Sequence, residues 1–243
     1  MPKMKMPGLR VLLLLLVSSI HGGASSITLA PVRVELPAAR PYSVLRLTNN
    51  GDDPVTLQMR VYRWSFNEQG DVLTPTDDLV INPPIATLTA KKVQLVRIGL
   101  LTPNKNVTEA TYRLILDEVP NKRSATAGVT LSTILRMSVP IFALPRAKVS
   151  PRLQWSMYRD AAGVTKIAAA NEGSSHVQIK ALVISTGTGH DSAVKFDDPT
   201  YLLPQQRHEW KIENEALTAA PDLTVDALTD AGNVRQTITK STN

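Results

Sequence analysis

From residue 129 to residue 142 the chain reads Val129-Thr-Leu131-Ser-Thr133-Ile-Leu135-Arg136-Met137-Ser-Val139-Pro140-Ile141-Phe142, with apolar side chains at nearly every odd position. A strand turns successive side chains to opposite faces, so this period fixes one greasy face and one largely wet face. The run is longer than the usual strand of about 5–6 residues. It also contains Pro140, which lacks an N–H and belongs at a sheet edge or a bulge. A long edge strand with a hydrophobic face is a template for pairing with another chain, and proteins normally suppress such edges. Two uses are open from this stretch alone. One face lies in the chain's own core, which is the simpler reading, or the edge is offered to another protein.

The same period recurs along the chain, while helical periodicity is hard to find. Tyr42–Thr48 and Val55–Trp64 alternate around the turn signal Asn49-Asn-Gly-Asp-Asp-Pro54, and together they read as a hairpin. The stretch 66–84 is polar and proline-containing and reads as loop. Val93–Leu100 and Thr111–Val119 are further strands, and 121–128 is a small, polar connection into the 129–142 run. Pro145–Pro151 reads as a linker. Beyond it come strands at Leu153–Tyr158, Thr165–Asn171, His176–Ser185, Leu202–Leu203, Glu209–Ile212, Leu223–Leu228 and Gln236–Thr239, with turns at Asp160–Gly163 and Asp230–Asn233. Short strands at regular spacing in both halves predict an all-β chain of two sandwiches.

The first residues read as a secretory leader. Lys3, Lys5 and Arg10 precede the apolar run Val11–Val17, and Gly22-Gly-Ala24 offers small residues for cleavage. The apolar run is too short for a bilayer, which takes about 20 residues. Its removal takes the net charge from +6 to about +3, a mild value that argues neither for nucleic acid nor for an anionic membrane surface. With no cysteine, an exported chain must hold itself by its cores, and thiol catalysis and Cys-ligated metal are excluded. The four histidines are scattered, and no metalloprotease, nucleophile-elbow or phosphate-loop pattern occurs. The acidic pairs Asp52-Asp53, Asp77-Asp78 and Asp197-Asp198 read as solvated turns. No enzyme, cofactor or metal site is predicted.

Several segments in order carry a resemblance: Ile27-Thr-Leu-Ala-Pro31-Val-Arg33-Val34; Gln94-Leu-Val-Arg97-Ile98; Thr108-Glu109-Ala-Thr-Tyr112-Arg113 running to Glu118-Val-Pro120; the alternating 129–142 run; Asn171 before a Gly-Ser turn; Leu203-Pro204 before Trp210; and Ala227-Leu-Thr-Asp230-Ala-Gly232. In this order and spacing the chain resembles the periplasmic chaperones of the chaperone–usher pilus pathway, nearer to their archaic-type branch. The resemblance implies two immunoglobulin-like β-sandwich domains in an L-shape, residues 25–145 and 146–243, behind a leader at 1–24. It implies a periplasmic, non-catalytic protein without cofactors. Its partners would be pilus subunits and an outer-membrane usher, with no nucleic acid and no membrane insertion. Self-capping by an oligomer of the free protein stays open. An exported structural or adhesive sandwich protein of a surface fibre is the alternative.

Within this family a strand of the first domain fills the hydrophobic groove of an incomplete subunit, an instance of β-strand addition. The resemblance assigns that role to Val129, Leu131, Leu135, Met137, Val139 and Ile141. Each such side chain, fully buried, contributes on the order of 1.5–3 kcal/mol before ordering costs. It assigns the anchoring of the subunit's C-terminal carboxylate to Arg33, in a Pro-x-Arg setting, and to Arg136, the one basic residue inside the run. It places Glu109 and Asp230 in an interdomain acidic cluster. The arginine that joins these acids in the family falls at Leu144 here. Either Arg146 or Arg113 substitutes, or the cluster is lost. Family members usually carry Lys at the second anchor and a following aromatic-rich segment ending Arg-Pro. This chain has Met137 to Pro145 with an apparent insertion.

Overall fold

Period-two alternation decides which side chains meet in the core. The computed structural model describes residues 27–120, 134–186 and 193–240. The expected leader at 1–24, the connection 121–128, and Val129 and Leu131 lie outside the described residues. The first half holds β1 (Ile27–Ala30), β2 (Val34–Leu36), β3 (Tyr42–Asn49), β4 (Val55–Asn67), β5 (Gly70–Pro75), β6 (Leu79–Asn82), β7 (Ile85–Leu88), β8 (Val93–Leu100), β9 (Ala110–Glu118) and β10 (Arg136–Ala143). One sheet runs β1-β3-β8-β6. The other runs β2-β10-β9-β4-β5, with β7 also on β4. The inward positions form a single core: Leu45 and Leu47 from β3, Leu57 and Met59 from β4, Val96 and Ile98 from β8, Leu114 and Leu116 from β9. Two sheets burying one face each against the other is the sandwich arrangement.

Tyr42–Thr48 and Val55–Trp64 do not form a hairpin. β3 pairs with β1 and β8, and β4 pairs with β9, β5 and β7, so the turn between them carries the chain from one sheet to the other. The 66–84 stretch is not loop, for β5 extends the sheet from β4 and β6 closes the edge at β8. β5 is an outer strand with little buried surface, so its sequence carries almost no apolar alternation.

The second half holds β11 (Leu153–Arg159), β12 (Thr165–Asn171), β13 (Val177–Ser185), β14 (Ala193–Phe196), β15 (Thr200–Leu202), β16 (Arg207–Lys211), α1 (Glu215–Ala219), β17 (Asp222–Thr229) and β18 (Gly232–Thr239). Its sheets run β11-β12-β16 and β14-β13-β17-β18, with β15 also on β13. A second core gathers Trp155, Met157, Ile167, Ile179, Ile184, Trp210, Leu223 and Val225. The predicted turns at Asp160–Gly163 and Asp230–Asn233 join β11 to β12 and β17 to β18. Gly232 opens β18 at φ +123°, a backbone conformation that side chains disfavour. The five-residue helix α1 is capped by Asn214, whose side chain accepts from the Leu217 amide. One turn is too short to show helical periodicity.

Three buried asparagines repeat one device at loop ends. Asn49 Oδ1 accepts from Gly51 N, and its Nδ2 donates to Asp53 O and to Leu88 O on β7. Asn104 accepts from Asn106 N and donates to Thr108 O and to Ala143 O on β10. Asn171 accepts from Gly173 N and Arg152 N and donates to Ser175 O and to Leu202 O on β15. Each amide closes its own loop at i+2 and i+4 and ties that loop to a distant strand, as the short polar side chain of Asn allows. The Asn171 loop also lies tightly against the linker: a Cβ on Gly173 would come within 2.4 Å of Ser150 O. Replacing Asn49 or Asn171 by Ala leaves several buried backbone groups unpaired, at about 1–3 kcal/mol each. Urea denaturation of Asn49→Ala and Asn171→Ala is expected to show each variant destabilised by about 2–4 kcal/mol.

Candidate functional site

The two sandwiches meet on the face of the β4–β9–β10 sheet that points away from the first core. β10 reaches that face through its even positions. Phe142 is fully buried there with Trp64 from β4, Leu203, and Tyr201 from β15. The Phe142 ring stacks on His176, with centroids 3.4 Å apart and planes 6° from parallel. Tyr201 meets Trp64 edge-on at 5.5 Å. The same strand sends Val139, Ile141 and Ala143 into the first core.

Charges surround this aromatic cluster. The Glu109 carboxylate, whose side chain has no exposed surface, accepts from the His176 backbone N–H at 2.6 Å and from His176 Nδ1 at 2.9 and 3.0 Å. His176 Nε2 lies 3.9 Å from Asp230 Oδ2. Asp230 Oδ1 accepts from Gln178 N at 2.8 Å, and Oδ2 accepts from Arg33 Nη1 at 2.6 Å. Arg33 also lies 3.5 Å from Glu35. Burial works against the Arg33 charge, but the bond to Asp230 and the neighbouring carboxylates outweigh it and raise its pKa. Glu109 and Asp230 therefore do come together, on either side of a histidine. His176 lies between them, and Arg33 pairs with Asp230. Arg113 pairs with Asp71 instead, at 3.6 Å.

Arg113 is the residue the sequence reading did not place in this site except as a substitute within the acidic cluster. Its guanidinium lies 3.7 Å over the Trp64 ring and 5.8 Å from Tyr201, a cation–π arrangement. Its Nε is buried and has no hydrogen-bond partner among the described residues. Burial lowers its pKa, opposed by Asp71 and Tyr201. Strand register gives its position. Pro140 of β10 faces Arg113 of β9, and Arg33 immediately precedes Val34, which pairs with Ile141. Arg33 and Arg113 thus lie at one level, on either side of Pro140. Arg136 is four residues earlier, roughly 13 Å along the strand at about 3.3 Å per residue. It is 69% exposed and bonds Asp117 at 2.5 Å. Asp117 also takes Arg60, and the hydrogen bonds from Arg136 and then Arg60 hold its carboxyl below the usual carboxylate range.

The described part of the 129–142 run divides in two. Val139 and Ile141 are fully buried in the chain's own core, because they share its inward face with Leu114 and Leu116. They were expected to face another protein's groove and do not do so here. Met137 is partly buried against the same core. Leu135 is partly exposed, and its backbone exchanges bonds with Glu118: Glu118 N donates to Leu135 O, and Leu135 N donates to the Glu118 carboxylate. β9 pairs with β10 along its whole length, but β2 covers only Ile141 to Ala143. From Arg136 to Pro140 the outer edge of β10 has no strand partner among the described residues. The arrangement can hold carboxylates and extend a sheet. Among the described residues no group of three or more His, Cys, Asp or Glu has the geometry of a metal site.

Comparison with known proteins comes to the same region of fold space. The family profile described as pili and flagellar-assembly chaperone, PapD N-terminal domain, matches residues 26–148. No curated protein matches the chain by sequence. Among solved structures, the chain is similar to one in the CsuC–CsuE chaperone–tip adhesion subunit pre-assembly complex from archaic chaperone-usher Csu pili of Acinetobacter baumannii. That likeness has 21% identity and a TM-score of 0.66, over 90% of this chain and 100% of that one. It is also similar to one in the complex of the Salmonella enterica SafA pilin with the SafB chaperone, at 16% identity and a TM-score of 0.63 over 88% and 96% of the two chains. The E. coli chaperone DraB matches at 16% identity and a TM-score of 0.59, over 90% and 97%. At these identities the likeness is one of fold.

Because Phe142 packs against residues of both halves, its loss is felt in both. Phe142→Ala is expected to cost about 3–5 kcal/mol. Differential scanning calorimetry checks this as a lowered transition for the first sandwich together with weakened coupling to the second.

Proposed function

This chain belongs to the pili and flagellar-assembly chaperones, and from that premise we propose that it is a periplasmic chaperone that captures pilus subunits by donor-strand complementation and passes them to an outer-membrane usher. It binds and does not catalyse. The leader at 1–24 would export it, and the domains would divide at 145/146, in the linker between the two cores. Solved structures similar in fold include complexes of a chaperone with a pilin or a tip subunit.

The observation that carries this reading is the outer edge of β10 from Arg136 to Pro140, which has no strand partner among the described residues. Unpaired main-chain groups along a strand edge are what β-strand addition uses for affinity, and alternate side chains give specificity. With Val139 and Ile141 committed to the chain's own core, groove filling falls to Leu135 together with Val129 and Leu131 upstream, and to the part of Met137 that the first core leaves exposed. Val139 and Ile141 would then fix the strand's lower end. The subunit's C-terminal carboxylate is assigned to Arg33, which already grips a carboxylate in Asp230. Its second cation is assigned to Arg113, on the support of a buried Nε without a hydrogen-bond partner among the described residues. Arg136, exposed and paired with Asp117, would stand further along the subunit's path.

Co-expression with pilins encoded beside the gene tests the reading: a soluble one-to-one complex is expected, and its absence with every such pilin would sink the proposal. Charge-assisted hydrogen bonds contribute about 1.5–3 kcal/mol. Arg33→Ala and Arg113→Ala are each expected to weaken capture by about ten- to a hundredfold with the fold intact. An equal loss for Arg136→Ala would move the anchor four residues along β10. Leu131→Asp and Leu135→Asp are expected to weaken capture as well, since each would bury a charge in the subunit's groove.

A further inference from the structure

Two rows of residues face each other across the junction. In the first sandwich the row is Arg33, Pro140 and Arg113. Pro140 is opposite Arg113 in the β9–β10 register, and Arg33 immediately precedes Val34, which pairs with Ile141. In the second sandwich the row is Tyr201, Gln178 and Asp230. Tyr201 of β15 is opposite Gln178 of β13. Asp230 N donates to Gln178 O, and Gln178 N donates to Asp230 Oδ1. At one end the rows are joined by Arg33 and Asp230, at 2.6 Å. At the other end they meet on Trp64. Arg113 lies 3.7 Å over that indole, and Tyr201 meets it edge-on with centroids 5.5 Å apart. The Arg113 guanidinium carbon is 5.8 Å from the Tyr201 ring centre.

The first row by itself leaves a gap. Adjacent strands are about 4.8 Å apart, so the Arg33 and Arg113 backbones stand roughly 10 Å apart with Pro140 between them. Proline has no N–H to donate. A further donor to a carboxylate held between the two arginines has to come from the opposite row. There Asp230 would repel a carboxylate, and the Gln178 N–H is already given to Asp230. Tyr201 brings a hydroxyl, on a ring that packs against the aromatic cluster and stays partly exposed. Burial raises the pKa of this phenol, and the charges of Arg33 and Arg113 with a hydrogen bond from Arg33 lower it by less. Both guanidinium groups thus bear on one oxygen, which keeps its proton at neutral pH. A hydroxyl that accepts from Arg33 still has its own O–H to donate.

We propose that Tyr201 is the third member of the carboxylate anchor, its O–H completing from the second sandwich the site that Arg33 and Arg113 form in the first. The incoming carboxylate lies over Pro140, takes N–H groups from both guanidinium groups and accepts the phenol O–H from the opposite side. Arg33 keeps Asp230 throughout, since its guanidinium has five N–H donors and that bond uses one. The anchor is complete only while the two sandwiches are docked. This inference rests on the assignment of Arg33 and Arg113 as the anchor. It adds a residue from the half of the chain that lies beyond the matched family profile.

Tyr201→Phe removes the hydroxyl and keeps the ring that packs on Trp64 and Phe142. The probes are two peptides copying the C-terminal strand of a pilin encoded beside the gene. One ends in a free carboxylate and the other in a carboxamide. Isothermal titration calorimetry measures both against the full chain. A hydrogen bond to a charged group is stronger than one to a neutral group. Tyr201→Phe is therefore expected to bind the carboxylate peptide about tenfold more weakly than the wild type does, with a much smaller loss for the carboxamide. Undiminished binding of the carboxylate peptide would overturn the proposal. So would an equal loss for both peptides, which would give the hydroxyl a packing role only. Arg33→Ala in the same assay tests the anchor separately. If Arg33→Ala loses the preference for the carboxylate and Tyr201→Phe retains it in full, the phenol alone is removed from the site. If the wild type shows no preference, or Arg33→Ala keeps it, the anchor assignment fails and the inference with it.

Discussion

A single strand buried on both faces holds this molecule in register. Over its second half, β10 sends Val139, Ile141 and Ala143 into the first core and Pro140 and Phe142 into the junction with the second sandwich. A slip of one residue would exchange the two sets, so the register is tightly specified there. Over its first half only one face is packed, and the outer edge has no strand partner among the described residues. The constraint at one end is what makes the other end usable. An edge held straight and in phase by its own continuation can receive another chain without being remade.

The junction depends on charge as well as on rings. Glu109 is buried without exposed surface, a costly place for a carboxylate, and it is offset by a backbone N–H and an imidazole. Asp230 is held in the same way by an amide and a guanidinium. Removing one partner from such a site costs far more than the pair contributes, so each group fixes the position of the others. The exposed chain of Arg60, Asp117 and Arg136 is different. In water such pairs contribute little, and those side chains stay available to an incoming partner. Both sandwiches thus meet at a place where the Arg33–Asp230 pair and one desolvated arginine, Arg113, lie within a few strands of each other.

Much of the fold was legible because period-two alternation survives in every strand that packs on one face only. Where it failed, the reasons are particular. Asn49-Asn-Gly-Asp announces a turn, but only the bond from its amide to Leu88 O decides that the chain changes sheets there. β5 is polar because it is an outer strand with almost nothing to bury. In the site, Arg33, Glu109 and Asp230 could be named from the ordered segments that resemble the family. His176 and Arg113 could not be given their roles, since those depend on residues far away in the chain: His176 on Glu109, Arg113 on Trp64. Alternation showed that Val139 and Ile141 share a face with Met137, but parity alone cannot say whose core that face fills.

The account centres on a subunit's terminal carboxylate docking at Arg33 beside Arg113, at the level where β10 leaves its open edge. The most direct measurement compares capture of one pilin subunit ending in its native free carboxylate with capture of the same subunit extended by a few residues at its C-terminus. The account predicts that the native form is bound in a soluble one-to-one complex and that the extended form is captured far more weakly, because its carboxylate can no longer reach the two guanidinium groups. Equal capture of both forms would contradict it.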